Sequence, residues 1–289
     1  MEQKLNNIVL VPTDFSDTCQ NAINHGAELA KFLDYKLALL HVFNKESKTL
    51  LKNDNLSEDD AKASLLKIAN EAKSSFGIEV ETLTREGSIF KEIHQAASDI
   101  GSNLMILGTH GKKGLQHVFG SHALSVIMKS PVPTLVVQQK GFGEGYKKIV
   151  FPINDFTEAR QQVEWALYIS QQFNSEIHIF QQPHKDSSLA TKINIVTEQI
   201  EEEFKKQGVN YKITIAPKSE NYSKHLLNFA SEINADMMMI MTDADIFSPD
   251  FRAGQWDEKI MFNEDQIPVL CINPKILGQV FYTMLGSGI

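Results

Sequence analysis

The sequence predicts an α/β protein built twice over, with two domains in tandem, each a parallel sheet covered by helices on both faces. Three observations carry this. A segment repeats: "NNIVLVPTDFSDTCQNAI" near the start returns as "KKIVFPINDFTEARQQVE" from Lys147, with Asp14-Phe15-Ser16 matching Asp155-Phe156-Thr157 at an offset of 141. The ends of the halves match too, "SNLMILGTHG" at Ser102 with "ADMMMIMTDA" at Ala235 and "VPTLVVQ" at Val132 with "IPVLCIN" at Ile267. A period near 140 means a duplicated domain, since solenoid repeats run to only ~20–50 residues. Within each half, short apolar runs alternate with longer amphipathic stretches, and that alternation implies right-handed crossovers and a parallel sheet. The length, 289 residues, fits two domains of ~100–200 residues each.

Taken in order, Ile8–Val11 reads as a buried strand, Lys36–Phe43 as a second and Ile78–Thr84 as a more exposed third. Leu104–Leu107 and Thr134–Val137 complete five strands. Helical patterns fall over Asp17–Leu33, Ser57–Phe76, Ser88–Ile100 and Ser121–Lys129. Ser16 or Asp17 is placed to cap the first helix, and Ser57 with Asp60 forms a capping-box pattern for the second. The second half repeats the order with strands at Ile149–Ile153, Glu176–Phe180, Tyr211–Ala216, Met237–Met241 and Val269–Ile272. Its helices are expected at Glu158–Phe173, Leu189–Gly208 and Ser223–Ile233. The stretch "QQKGFGEGY", Gln138–Tyr146, has three glycines in five residues and reads as a short flexible linker. The expected domains are therefore 1–140 and 147–289. The tail "ILGQVFYTMLGSGI" has an apolar centre that fits either an edge strand or a loose segment.

Composition narrows the function classes. A hydrophobic fraction of 42% and a charged fraction of 22% are ordinary for a folded domain pair. The net charge of −8 and the lack of a basic stripe argue against nucleic acid and acidic membrane as partners. Cys19 and Cys271 lie in opposite halves and form neither a metal-ligand pair nor a disulfide framework, which points to a reducing compartment. The N-terminal apolar run is too short for a signal peptide, and no run reaches the ~18 residues of a membrane span. A cytoplasmic location is expected.

Chemistry concentrates where a strand ends. In open parallel sheets, ligands bind beyond the carboxyl ends of strands, at the point where strand order reverses. Gly108-Thr109-His110-Gly111 follows directly on a strand, and glycine lets backbone turn sharply and approach a ligand. Gly120-Ser121 is expected to open a helix, whose N-terminal amides and dipole suit a phosphate. Pro12-Thr13-Asp14 reaches the same edge. Asp14 can accept hydrogen bonds from a ribose hydroxyl or a base amine, or it can serve only to cap the helix. Val42, near the end of the second strand, offers backbone groups to a base.

The segments "VPTDFS", "GTHGKKG…GSHA" and "PVPTLVV" resemble the universal stress protein family, and the doubling resembles its tandem members. The resemblance spans nearly the whole chain and is specific in the first half. It implies two Rossmann-like (adenine nucleotide alpha hydrolase-like) domains, each a five-stranded parallel sheet with helices on both faces. It implies ATP, accompanied by Mg, as the ligand. Pro12, Thr13, Asp14 and Val42 would surround adenine and ribose, and Gly108, His110, Gly111, Gly120, Ser121 and His122 the phosphates. It also implies pairing of the two repeats within the chain and association into a homodimer. The family pattern is G-x-x-G, nine residues, then G-S/T. Here eight residues separate Gly111 from Gly120, and one residue fewer moves the chain by up to ~3.5 Å. In the second half, Asp243, Ala244, Gln255 and Trp256 stand at the places of His110, Gly111, Gly120 and Ser121. The carboxylates of Asp243, Asp245 and Asp250 would repel a phosphate, so this half reads as degenerate for ATP and as a built-in dimer partner.

His25, His41, His94, His117, His178, His184 and His225 form no metal-ligand spacing and read as structural or exposed. Met237-Met238-Met239 reads as a core strand and Glu198–Phe204 as a solvated helix face. There is no nucleophile elbow, no Walker A motif and no GxGxxG fingerprint. The expected function is thus a regulatory module binding an adenine nucleotide in the first domain. The alternatives are an interaction or structural stress protein that binds no nucleotide, and a weak ATPase. No catalytic or metal-binding residue is expected.

Overall fold

A computed structural model describes residues 6–109, 118–154, 159–218, 221–242 and 256–273. The chain divides into two compact units, the first ending at Phe142 and the second beginning at Gly143.

The first unit opens with β1 (Ile8–Pro12), α1 (Asp17–Leu33) and β2 (Lys36–Phe43), followed by α2 (Lys45–Asn53), α3 (Glu58–Phe76) and β3 (Val80–Glu86). Then come α4 (Ile89–Asp99), β4 (Leu104–Gly108), α5 (Val118–Lys129) and β5 (Thr134–Val137). The strands pair in parallel in the order β3-β2-β1-β4-β5. The chain runs outward from β1 to β3, then returns to lay β4 on the other side of β1. Strand order therefore reverses between β1 and β4, and a crevice opens at their carboxyl ends. β1 is buried over its full length, as a strand covered on both faces should be. On one face Leu10, Leu40, Val42, Ile93, Met105 and Val126 share a core cluster that joins the sheet to α4 and α5.

Ser16, not Asp17, caps α1, its side chain accepting from Cys19 N–H. Ser57 and Asp60 form the expected capping box on α3. Two features differ from expectation. Helix α2 lies outside the helical patterns of the sequence, because it buries none of its residues and so shows no apolar stripe. It is held by local chemistry, a capping box in which Asn44 and Ser47 satisfy each other's backbone amides. Helix α5 starts at Val118, not at Gly120-Ser121. Gly120 and Ser121 still fall within its first four residues, whose amides have no partner inside the helix.

The second unit contains β6 (Lys148–Ile153), α6 (Ala159–Phe173), β7 (Glu176–Gln181), α7 (Ser187–Lys206) and β8 (Asn210–Ile215). It continues with α8 (Tyr222–Glu232), β9 (Met237–Met241), α9 (Trp256–Met261) and β10 (Val269–Ile272). Its strands pair in parallel as β8-β7-β6-β9-β10, the same order as in the first unit. Registers set the correspondence between halves. Pro12 pairs with Leu40 and Pro152 with Phe180, so the strands run at an offset of 140. The helix ends agree, since Tyr35 N–H donates to Ala30 O and Ser175 N–H to Ser170 O. The Asp-Phe-Ser/Thr motif alone runs at 141, so Asn154 stands at the place of Asp14 and Asp155 lies one residue beyond. Residues 155–158 and 243–255 and the tail from 274 onward lie outside the described residues, so the expectations on Asp155, Asp243, Ala244, Asp245, Asp250, Gln255 and the edge strand fall there. Trp256 begins α9.

Candidate functional site

The crevice of the first unit holds a cavity of about 210 Å³. Pro12, Thr13 and Asp14 reach it from the end of β1, Leu40, His41 and Val42 from β2, and Leu107 and Gly108 from β4. Ile89 and Ile93 of α4 and Ala123 and Val126 of α5 form the apolar floor, while Asn44, Glu46, Ser47 and Leu50 bring α2 to the mouth. His94 ties the two floor helices together, its Nε2 bonding Val126 O at 2.9 Å. Five of the expected ligand residues, Pro12, Thr13, Asp14, Val42 and Gly108, thus line one cavity. His110 and Gly111 lie outside the described residues, and for Gly120, Ser121 and His122 only the helical backbone is described. The volume lies below the ~300 Å³ at which pockets for drug-sized ligands begin. It suits a base with part of its sugar, and a phosphate chain would have to extend out toward the start of α5. The charged side chains described in the lining are Asp14 and Glu46, both acidic, so the cavity itself favours a neutral group.

The backbone at the end of β2 is open. Leu37 N–H donates to Glu79 O beside β3, so by alternation Leu40 and Val42 turn their backbone groups toward β1. Thr13 N–H donates to Leu40 O at 2.8 Å. Past that point β1 has ended, and Val42 N–H has no backbone partner among the described residues. Val42 O receives the Ser47 hydroxyl at a long 3.4 Å. An adjacent donor and acceptor facing an apolar cavity can read the edge of a heterocyclic base.

His41 is buried, contrary to any exposed role. Its Nδ1–H donates to Thr13 O at 2.8 Å, since a carbonyl can only accept. The ring lies between Phe15 and Phe43, with centroids 4.6 and 4.8 Å away. Burial pushes its pKa down against the Thr13 contact and the Asp14 charge, which push it up.

Asp14 is part ligand candidate and part turn. Its Oδ1 accepts from Ser16 N–H at 3.0 Å, which closes an Asx turn ahead of α1. Burial raises its pKa, but hydrogen bonds from Ser16 and Cys19 outweigh this and hold the carboxyl below its ordinary value. The Cys19 thiol is pushed up to about 12 by burial and by the Asp14 charge, so it stays protonated and is no nucleophile. Gly108 has a packing reason besides any ligand. A Cβ there would lie 2.7 Å from Thr18 O and 3.1 Å from Ala22 Cβ, so only glycine lets α1 sit this close to β4. Among the described residues no cluster of three His, Cys, Asp or Glu side chains can hold a metal, and no helix is long and apolar enough to cross a membrane.

Comparisons with known proteins agree with this architecture. Residues 6–138 match the model of the universal stress protein family. Universal stress protein MJ0577 of Methanocaldococcus jannaschii is 30% identical over 155 residues, 46% of this chain and 94% of that protein. Universal stress protein Sll1654 of Synechocystis is 32% identical over 132 residues, 45% of this chain and 83% of that protein. The crystal structure of a universal stress protein from Archaeoglobus fulgidus covers 93% of this chain and 98% of its own, with a TM-score of 0.72 at 18% identity, which shows the two-domain fold over nearly the full length.

Proposed function

Because this chain belongs to the universal stress protein family, we propose that its first half binds an adenine nucleotide and that the second half does not. One observation carries the reading. The cavity gathers Pro12, Thr13, Asp14, Val42 and Gly108 at the strand-order switch point, with apolar walls for a base and the open Val42 edge to read it. Adenine would lie against Leu40, Ile93 and Val126 and exchange hydrogen bonds with Val42, and the ribose would face Asp14. The acidic lining leaves the phosphates to the amides at the start of α5, with Mg as a counter-ion. The protein is then a nucleotide-responsive regulatory module; among the described residues of the cavity no set of base, metal ligand and positive clamp comes together, as phosphoryl transfer would need. The same proposal includes the second half as an internal partner for the first, since duplicated domains can pair as homodimer subunits do.

Mass spectrometry of small molecules released from the purified, denatured chain tests the ligand. Recovery of an adenine nucleotide, with loss of binding in Gly108→Met by calorimetry, is expected. A purified chain that carries no nucleotide and takes up none in titration overturns the reading.

A further inference from the structure

We infer that His41 is a positioning residue: by engaging Thr13 O, its ring keeps the Val42 amide open for a ligand. The inference rests on the nucleotide-binding reading but names a device that reading does not require. The two units of the chain differ at this point. In the second unit, Ile153 stands at the place of Thr13, Gln181 at that of His41 and Gln182 at that of Val42. There the strand runs on through Ile153, and Gln182 N–H donates to Ile153 O at 2.8 Å. The parallel ladder is closed. In the first unit the corresponding carbonyl, Thr13 O, accepts from the His41 ring. β1 stops at Pro12, and the Val42 amide faces the cavity.

Packing alone does not call for an imidazole here. His41 is 4% exposed, and its Nε2 has no hydrogen-bond partner among the described residues. A leucine would fill this space between Phe15 and Phe43 without an unpaired Nε2, but it would leave Thr13 O to find another donor. What the imidazole adds is a rigid N–H donor aimed at Thr13 O. That bond turns the carbonyl away from the ladder and fixes the backbone ahead of Asp14, whose side chain closes the next turn. The device therefore couples the two elements that would hold base and ribose.

Amide hydrogen exchange and ATP titration of the intact chain test this together. In the native chain the Val42 amide should exchange much faster than Gln182, and similar protection of both overturns the inference without any variant. His41→Leu should slow exchange at Val42 and weaken ATP binding tenfold or more, which is about one hydrogen bond's worth. His41→Asn places an amide donor where Nδ1–H stood, and should keep Val42 open and restore affinity to within about threefold. If Leu and Asn behave alike, or Val42 exchange is unchanged in both, the inference fails. Should His41→Leu not fold, the native comparison and His41→Asn decide alone. If the native chain binds no ATP, the nucleotide reading fails while the exchange arm still judges His41.

Discussion

The two halves share strand order, yet they carry side chains of different size at the ends of their second strands and on the helices that follow their third. In the first half Leu40 and Ile89 line the cavity and Ala96 lies in the core cluster they pack with, all modest in size. In the second, Phe180, Tyr222 and Phe229 occupy the corresponding positions. Phe180 stacks with Tyr222 and with Phe229, at centroid distances of 5.6 and 4.7 Å. Tyr222 also donates its hydroxyl to Phe180 O at 2.6 Å, so the ring ends over the carbonyls at the close of the strands. Under the proposed division of work, the closed ladder bond at Gln182 and the larger side chains would take from the second half the room for a base.

The contact between the first helix and the fourth strand differs in the same sense. Gly108 and Ala22 let α1 approach β4, whereas Met241 and Gln162 stand at those places in the second half, and Gln162, with its amide turned to satisfy both neighbours, bonds the backbone of Met239 and Met241. Gly108→Met, which copies the second half into the first, should therefore cost at least about 3 kcal/mol, because the clash is with backbone that cannot move aside. Urea unfolding followed by circular dichroism measures it. A cost below about 1 kcal/mol would mean that α1 can retreat and that the tight contact has no bearing on the difference between halves.

Acid should act on the first half ahead of the second. Burial drops the His25 pKa to about 4, against an ordinary value near 6.5, and Trp165, which cannot titrate, stands at the matching place. Between those two values the unfolded chain binds more protons than the folded one, so stability falls as pH falls from about 6.5 toward 4. By pH 5 the loss from His25 should be on the order of 2 kcal/mol, and His25→Leu should flatten this part of the profile. A profile that His25→Leu leaves unchanged would remove the asymmetry.

Two smaller effects sharpen the contrast further. Tyr222→Phe keeps the ring but removes the donor to Phe180 O, and should cost about 1 kcal/mol without creating a second nucleotide site. A gain in bound nucleotide would show that the hydroxyl alone seals the second half. Ser16→Ala removes the α1 cap and one of the bonds that hold Asp14 ionised, and should cost ~1 kcal/mol or somewhat less. The Asp14 carboxyl should titrate at higher pH in this variant, as read by carbon NMR, and an unmoved titration would place Asp14 outside the turn network.

Much of this was legible in the residues alone. The duplication shows in the matching segments and the ten strands and longer helices in apolar periodicity, and Pro12, Thr13, Asp14, Val42 and Gly108 line one cavity because strand ends in a parallel sheet meet at one edge. What was not legible had no local signature. Helix α2 shows no buried stripe, although the Asn44-to-Ser47 spacing is a capping pattern that could have marked it. His41 looked like any apolar-flanked histidine, since its role depends on a carbonyl 28 residues away. Tyr222 is the first residue of a helix whose apolar pattern starts at Ser223, so the pattern does not reveal its place over the strand ends. The tight fit at Gly108 comes from α1, which no spacing within "GTHG" reveals.

The claim that the halves divide the work, one binding and one not, is tested most directly by titrating the intact chain with ATP and Mg while following backbone amide NMR signals. One equivalent should saturate the response, with shifts centred on Thr13, Val42 and Gly108 and none at Gln182 or Tyr222. Two equivalents per chain, or shifts centred on Gln182 and Tyr222, would contradict the account.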